Sequence, residues 1–243
     1  MDTSTLTELW QRTAGVQPES PTWLVVVSGV AALITVMHSP TWRITRNVVT
    51  IAHEGGHALA ALVTGRKLRG IRLHSDTSGV TLSKGKPRGA GMVITGVAGY
   101  VTPSLLGLGA AGLIAAGHIT AVLWTVIVAL AAMLLLIRNF YGLVSVLVTG
   151  AGVFLVSWLA PALAQTALAY LITWFLLLAG TRPIAELQGK RRRGRARSSD
   201  PDQLARITPV PGTAWVALFA VTAVAALLMG VAGLLPPIPL PLP

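Results

Sequence analysis

Seven stretches of mostly apolar residues divide this chain, and each approaches the length of a membrane-spanning helix. About 20 such residues are needed to cross the hydrocarbon core of a bilayer. The stretches cover residues 23–38, 44–64, 90–115, 119–137, 141–159, 162–179 and 213–235. Because only 11% of the residues are charged, against about 25% in soluble domains, we predict an all-α polytopic membrane protein. Two stretches are divided only by residues 160–161, so we expect six to seven transmembrane helices.

The basic residues predict how these helices are oriented. Most of the 19 Lys and Arg residues lie in the segments 65–89 and 180–212. Loops rich in Lys and Arg stay on the cytoplasmic side of the plasma membrane. This distribution predicts a cytoplasmic N-terminal tail over 1–22 and one transmembrane domain over 23–235. A Pro-rich tail over 236–243 would then lie outside the cell.

The segment 180–212 carries a run of basic residues over 190–197 without aromatic residues between them. Such a run between two apolar segments is typical of a cytoplasmic loop that contacts anionic lipid. Nucleic-acid binding is not expected, although the net charge is +11.

Apolar and polar residues alternate over 67–83, with a turn-forming segment in the middle. This period predicts a small cytoplasmic β-hairpin. The next apolar stretch is rich in glycine and contains Pro103, which predicts close packing and a kink or break.

Residues 53–57 read His-Glu-Gly-Gly-His, an HExxH motif inside the second apolar stretch. A helix places residues i and i+4 on one face, so His53 and His57 can share one metal ion. Glu54 lies beside the first histidine and can reach a water molecule on that ion. Ionisable groups at membrane depth are costly and mark functional sites. The motif therefore predicts a metal site rather than a polar patch between helices.

The absence of cysteine excludes thiolate ligands and leaves nitrogen and oxygen donors. Two histidines and a third protein ligand form a catalytic zinc site with one position open for water. Zinc lowers the pKa of that water to about 7. Glu54 would accept its proton and later pass it to the leaving amine. We predict one Zn²⁺ per chain.

Three acidic residues are candidates for the third ligand, because they follow the sixth apolar stretch on the same side as the histidines. They are Glu186, Asp200 and Asp202. The segment that starts at Asp200 also has the pattern of a helix start. On these local signals Asp200 and Glu186 are equal candidates, with Asp202 behind them.

Residues 50–59, the basic hairpin and the following Gly- and Pro-containing stretch resemble the site-2 protease family of intramembrane zinc metalloproteases. Two further segments are similar to a compact branch found in actinobacteria and, more distantly, in plants. They are Arg-Asn-Phe-Tyr-Gly at 138–142 and Ser-Asp-Pro-Asp-Gln-Leu-Ala at 199–205. The resemblance covers roughly residues 42–225.

The resemblance implies that His53 and His57 are zinc ligands and that Glu54 is the general base. It further implies that the substrates are membrane-embedded proteins cut near the cytoplasmic face. A helical substrate hides its peptide bonds and has to unwind before hydrolysis, so we hypothesise that an edge of the hairpin over 67–83 holds the unwound segment by strand addition. The similarity at 199–205 favours Asp200 as the third ligand, with Glu186 as the alternative.

Two other functions compete with a protease. One is a catalytically silent relative that acts as a membrane scaffold or regulatory partner, and the other is a metal transporter. A silent relative has little reason to keep three polar groups in lipid, and transporters usually spread such ligands over several helices. A serine mechanism lacks its Gly-x-Ser-x-Gly elbow. The sequence therefore favours a zinc metalloendopeptidase.

Overall fold

The computed structural model describes residues 3–196 and 198–235, and most of them are helical. The helices are α1 (Thr3–Ala14), α2 (Thr22–Met37), α3 (Ser39–Val63), α4 (Ala90–Ala115), α5 (Ile119–Leu134), α6 (Phe140–Leu159), α7 (Ala162–Ala179), α8 (Arg182–Arg192), α9 (Asp200–Ile207) and α10 (Gly212–Leu234). Two strands, β1 (Lys67–Leu73) and β2 (Gly79–Lys84), form an antiparallel hairpin. The predicted combination of apolar helices and one small hairpin is confirmed. The Pro-rich tail over 236–243 lies outside the described residues.

The expected number of six to seven spans is not confirmed. Within the described residues, four helical stretches are long and apolar enough to cross a membrane: α4, α6, α7 together with α8, and α10. The helices α2 and α3 meet at a bend of 100° and pass the same test only as a pair, which raises the number to five. α5 has 16 residues and is about 24 Å long, which is less than the hydrocarbon thickness of about 30 Å.

Helix α1 packs at the end of the bundle that lies away from the hairpin. The Nδ1 atom of His118, just after α4, donates a hydrogen bond to the carbonyl oxygen of Ala14 at 2.8 Å. The guanidinium of Arg12 lies 4.1 Å from the centre of the Trp158 ring, near the end of α6. Helix α1 thus packs against the ends of α4 and α6, and the cytoplasmic location of residues 1–22 stays a prediction.

The hairpin is fixed to the bundle along the outer edge of β1. The backbone N–H of Ile71 donates to the carbonyl oxygen of Leu136, and its carbonyl oxygen accepts from the backbone of Arg138. The Asn139 side chain accepts from the N–H of Leu73 and donates to its carbonyl oxygen. Ile71 and Leu73 are fully buried in an apolar cluster with residues of α5 and α6. β1 is therefore covered on this edge, whereas β2 pairs with no strand other than β1 among the described residues.

Glycines let α4 approach its neighbours closely, as the sequence predicts. A Cβ atom at Gly107 would lie 2.8 Å from the backbone nitrogen of Leu177 on α7. The expected kink or break at Pro103 does not interrupt α4, which is one helix from Ala90 to Ala115. Residues of both α4 and α7 belong to the largest buried apolar cluster among the described residues.

Candidate metal centre

Helices α3 and α9 bring three potential metal ligands together at one point. The Nε2 atoms of His53 and His57 lie 3.1 Å apart. One carboxylate oxygen of Asp200, Oδ2, lies 3.3 Å from each of them. Among the described residues these three form the group of His and acidic side chains that can hold one metal ion.

The size of this triangle fits a zinc ion. Protein nitrogen and oxygen ligands bind zinc at about 2.0–2.1 Å in a tetrahedron, so two ligand atoms are about 3.3 Å apart. The three edges of the triangle, at 3.1, 3.3 and 3.3 Å, match that value. Two imidazoles and one carboxylate are also a donor set that zinc prefers. Three protein ligands leave the fourth position of the tetrahedron open.

Contacts outside the ligand triangle orient the imidazole rings of His53 and His57. The Nδ1 atom of His57 lies 2.6 Å from the carbonyl oxygen of Thr95 on α4. Since a carbonyl oxygen only accepts, His57 carries a proton on Nδ1, and its Nε2 lone pair is left for a metal. The ring of His53 makes an edge contact with Tyr100, which stacks on Phe219 of α10. Helices α4 and α10 thus fix the orientation of both histidines.

Asp200 is placed by the short helix α9, which is tied to α8 and α10. The carboxylate of Asp202 accepts two hydrogen bonds from the Arg191 guanidinium, at 2.8 and 3.1 Å, and one from the Ser199 hydroxyl. The side chain of Leu204 is 1% exposed and packs in an apolar cluster with Phe219. These contacts hold the first turn of α9 beside α3.

The Asp200 carboxylate faces the two histidines and makes none of the capping contacts expected for a helix start. The N-cap residue of α9 is Ser199. Burial alone would raise the pKa of the Asp200 carboxyl, but the adjacent side chains of His53 and His57 outweigh it and hold that pKa below its usual value. The group is therefore ionised, as a metal ligand has to be.

Glu186, the alternative third ligand from the sequence, lies elsewhere. Its carboxylate accepts from Trp42 Nε1 at 2.8 Å and from Arg182 Nε at 3.2 Å, and it lies 3.5 Å from Arg46. These contacts join α8 to the first turns of α3. The structure brings Asp200, and not Glu186 or Asp202, to the two histidines.

Glu54 is buried beneath strand β2, with 3% of its surface exposed. Its Oε2 atom accepts a hydrogen bond of 2.6 Å from the Thr81 hydroxyl. A Cβ atom at Gly79 would lie 2.7 Å from its Oε1 atom. The hairpin thus contacts the acidic residue of the motif directly, which the alternation of residues 67–83 did not reveal.

Gly99 on α4 lies directly against the imidazoles of His53 and His57. It was not predicted from the sequence. A Cβ atom there would touch His57 Nε2 and would lie 2.6 Å from His57 Cε1 and 2.7 Å from His53 Cε1. The only signal in the sequence is the glycine-rich composition of α4, which indicates close packing without naming the position. A residue with any side chain at this position displaces the imidazoles.

The Gly99→Ala variant is expected to weaken zinc binding at least about tenfold, since contacts that orient metal ligands typically contribute 10- to 100-fold to affinity. Alanine favours a helix over glycine by about 1 kcal/mol, so a loss of helix propensity would not explain the effect. Gly109→Ala on the same helix is the matched control, because a Cβ atom there meets nothing within 4 Å. Zinc titration against a competing chelator measures the difference. Equal zinc affinity in both variants would contradict this role for Gly99.

Comparison with known families assigns most of the chain to a peptidase family. The family model described as Peptidase M50B-like matches residues 26–230. The matched region includes both histidines of the motif, the hairpin and Asp200. No curated protein and no solved structure matches the chain significantly.

Proposed function

This chain belongs to the site-2 protease family, represented by the M50B-like peptidases, and we propose that it is an intramembrane zinc metalloprotease. Its apolar helices make it an integral membrane protein. The proposal adds three points to the family assignment: zinc is the metal, Glu54 is the general base, and the substrates are membrane-embedded proteins.

The observation that carries the proposal is the triangle formed by His53, His57 and Asp200. Its edges of 3.1–3.3 Å suit three ligands of one tetrahedral ion. A catalytically silent relative would not need a complete ligand set with a general base beside it. The metalloprotease is therefore the function that these residues support best.

Bound zinc would supply a water molecule with a pKa near 7 and would polarise the scissile carbonyl group. His53, His57 and Asp200 would hold the ion, and Thr95 keeps His57 in the tautomer that can bind metal. Glu54 accepts the proton of the attacking water and then donates it to the leaving amine. Burial of Glu54 under β2 excludes bulk water from this proton transfer.

Strand β2 is the proposed binding site for the unwound substrate. Its outer edge pairs with no other strand among the described residues, and its Thr81 contacts Glu54. A substrate segment that adds to this edge would pass beside the general base. Extended substrate backbone at this edge is therefore presented close to the residue that activates water.

The side of the membrane on which cleavage occurs and the contact with lipid are also proposals. The basic segments place the hairpin and α9 on the cytoplasmic side by the positive-inside rule, so cleavage is expected near the cytoplasmic face. The basic loop over 180–212 is expected to contact anionic lipid.

The zinc content of the detergent-purified protein tests the proposed function. About one zinc per chain is expected by mass spectrometry of the metal, together with cleavage of fluorescein-labelled β-casein that stops when a chelator removes the metal. β-Casein is an unfolded substrate and needs no helix unwinding. Hydrogen exchange should also show added protection of the β2 amides when β-casein binds. Absence of zinc after metal is supplied would reject the hydrolase, and unchanged β2 exchange would reject strand addition.

A further inference from the structure

The hydroxyl of Thr81 on β2 contacts both the side chain and the main chain of Glu54 on α3. The Thr81 hydroxyl lies 2.6 Å from Glu54 Oε2 and 3.1 Å from the Glu54 carbonyl oxygen. Both partners only accept, so the single hydroxyl proton is shared between them. The shorter contact goes to the carboxylate, and a hydrogen bond to an ionised group is the stronger kind.

The main chain of Thr81 faces the open edge of the hairpin. Thr81 is paired with Ile71 in the register of the two strands. Ile71 directs its N–H and carbonyl groups away from β2, toward residues 136 and 138. In an antiparallel ladder, two paired residues either both face each other or both face outward. The N–H and carbonyl groups of Thr81 therefore point outward, where an added strand would bind.

The two oxygens of the Glu54 carboxylate have different surroundings. Oε2 is occupied by the Thr81 hydroxyl. Oε1 faces Gly79, where even one Cβ atom would come within 2.7 Å. Oε1 therefore packs against the backbone of Gly79, and among the described residues the hydrogen bond to this carboxylate goes to Oε2 and not to Oε1. Oε1 is thus the oxygen that remains free to accept a proton.

We propose that Thr81 is a positioning residue that couples substrate binding to the general base. Its main chain binds the substrate strand, while its hydroxyl holds Glu54 Oε2 so that Oε1 meets the attacking water. The proton then passes from that water to Oε1, and afterwards from Oε1 to the leaving amine. This inference rests on the proposed function, because it assigns an alignment role within the same site.

Thr81→Val removes the hydroxyl while keeping the shape of the side chain. We expect kcat for β-casein to fall about 10- to 100-fold, the factor expected from losing a hydrogen bond to a charged group. KM should stay within about twofold, since the main chain still binds substrate. Thr81→Ser restores the hydroxyl and should recover most of kcat. Zinc content should equal that of the wild type in both variants.

Thr50→Val is the matched control. The Thr50 hydroxyl also joins α3 to the hairpin, through a 2.8 Å hydrogen bond to the carbonyl oxygen of Thr77, but the hydroxyl has no contact with Glu54 among its hydrogen bonds. This variant should leave kcat within about twofold of the wild type.

Hydrogen exchange gives a readout independent of activity. Thr81→Val and Glu54→Ala should each speed exchange at the hairpin amides, and the double variant should add little to either.

Several results would overturn the inference and leave the proposed function standing. They are an unchanged kcat in Thr81→Val, an equal loss of kcat in Thr81→Val and Thr50→Val, a failure of Thr81→Ser to recover activity, and additive exchange effects. Loss of zinc in Thr81→Val would also overturn it, because Thr81 would then support the metal site as a whole. A wild type without zinc and without cleavage rejects the proposed function and the inference together.

Discussion

Replacing Asp200 by alanine is expected to lower zinc affinity by at least about 100-fold, so that the purified variant carries little metal. The loss of contacts that merely orient ligands costs 10- to 100-fold, and this variant removes a ligand itself. The Oδ2 atom of Asp200 lies 3.3 Å from the Nε2 atoms of both histidines. Asp200 is therefore the residue that supplies the third ligand atom. Metal analysis after purification, followed by titration against a chelator, measures the effect.

Glu186→Ala is the control for this experiment, because local sequence signals alone make Glu186 and Asp200 equal candidates for the third ligand. Glu186 binds Trp42 and Arg182 instead of the histidines. Its removal should leave about one zinc per chain, although it weakens the contact between α8 and α3. The reverse outcome, with zinc lost in Glu186→Ala and retained in Asp200→Ala, would refute the arrangement of the metal centre.

Replacing Glu54 by glutamine is expected to abolish most cleavage while the zinc content stays unchanged. Glutamine keeps the size of the side chain and can still accept the Thr81 hydrogen bond, but it cannot take up a proton at neutral pH. General base catalysis contributes about 10²–10⁴ to the rate, so kcat should fall by that factor. Initial rates with β-casein and with a single-span membrane protein measure the loss.

Glu186→Gln provides the same chemical change on another helix and should cleave at close to the wild-type rate. If Glu54→Gln remained fully active with one zinc bound, another group would have to be the general base. If it lost zinc as well, the role of Glu54 would be to support the ligands. Each of these outcomes separates proton transfer from metal binding.

The HExxH spacing predicted the histidine pair because it depends only on helix geometry. Residues four apart lie on one helical face in any α-helix, and the structure places His53 and His57 accordingly. The hairpin was also predictable, since its alternation over 67–83 is a local pattern. Both features are encoded within a few consecutive residues.

The remaining features depend on contacts between distant segments. Asp200 approaches the histidines because Arg191 and Leu204 hold α9 in place, which no local pattern states. Gly99 becomes part of the site only because α3 and α4 touch at that point. The predicted number of six to seven spans is not confirmed, and the apolar lengths do not reveal the 100° bend between α2 and α3.

The covered edge of β1 has a kinetic consequence. Leu136, Arg138 and Asn139 occupy that edge, so the hairpin has one open side for an extended chain. With the proposed strand addition at β2, a fragment that stays paired after the cut would occupy the same position as the next polypeptide to be bound. Release of the fragment and entry of the next chain are therefore mutually exclusive, and cleaved fragments should act as competitive inhibitors.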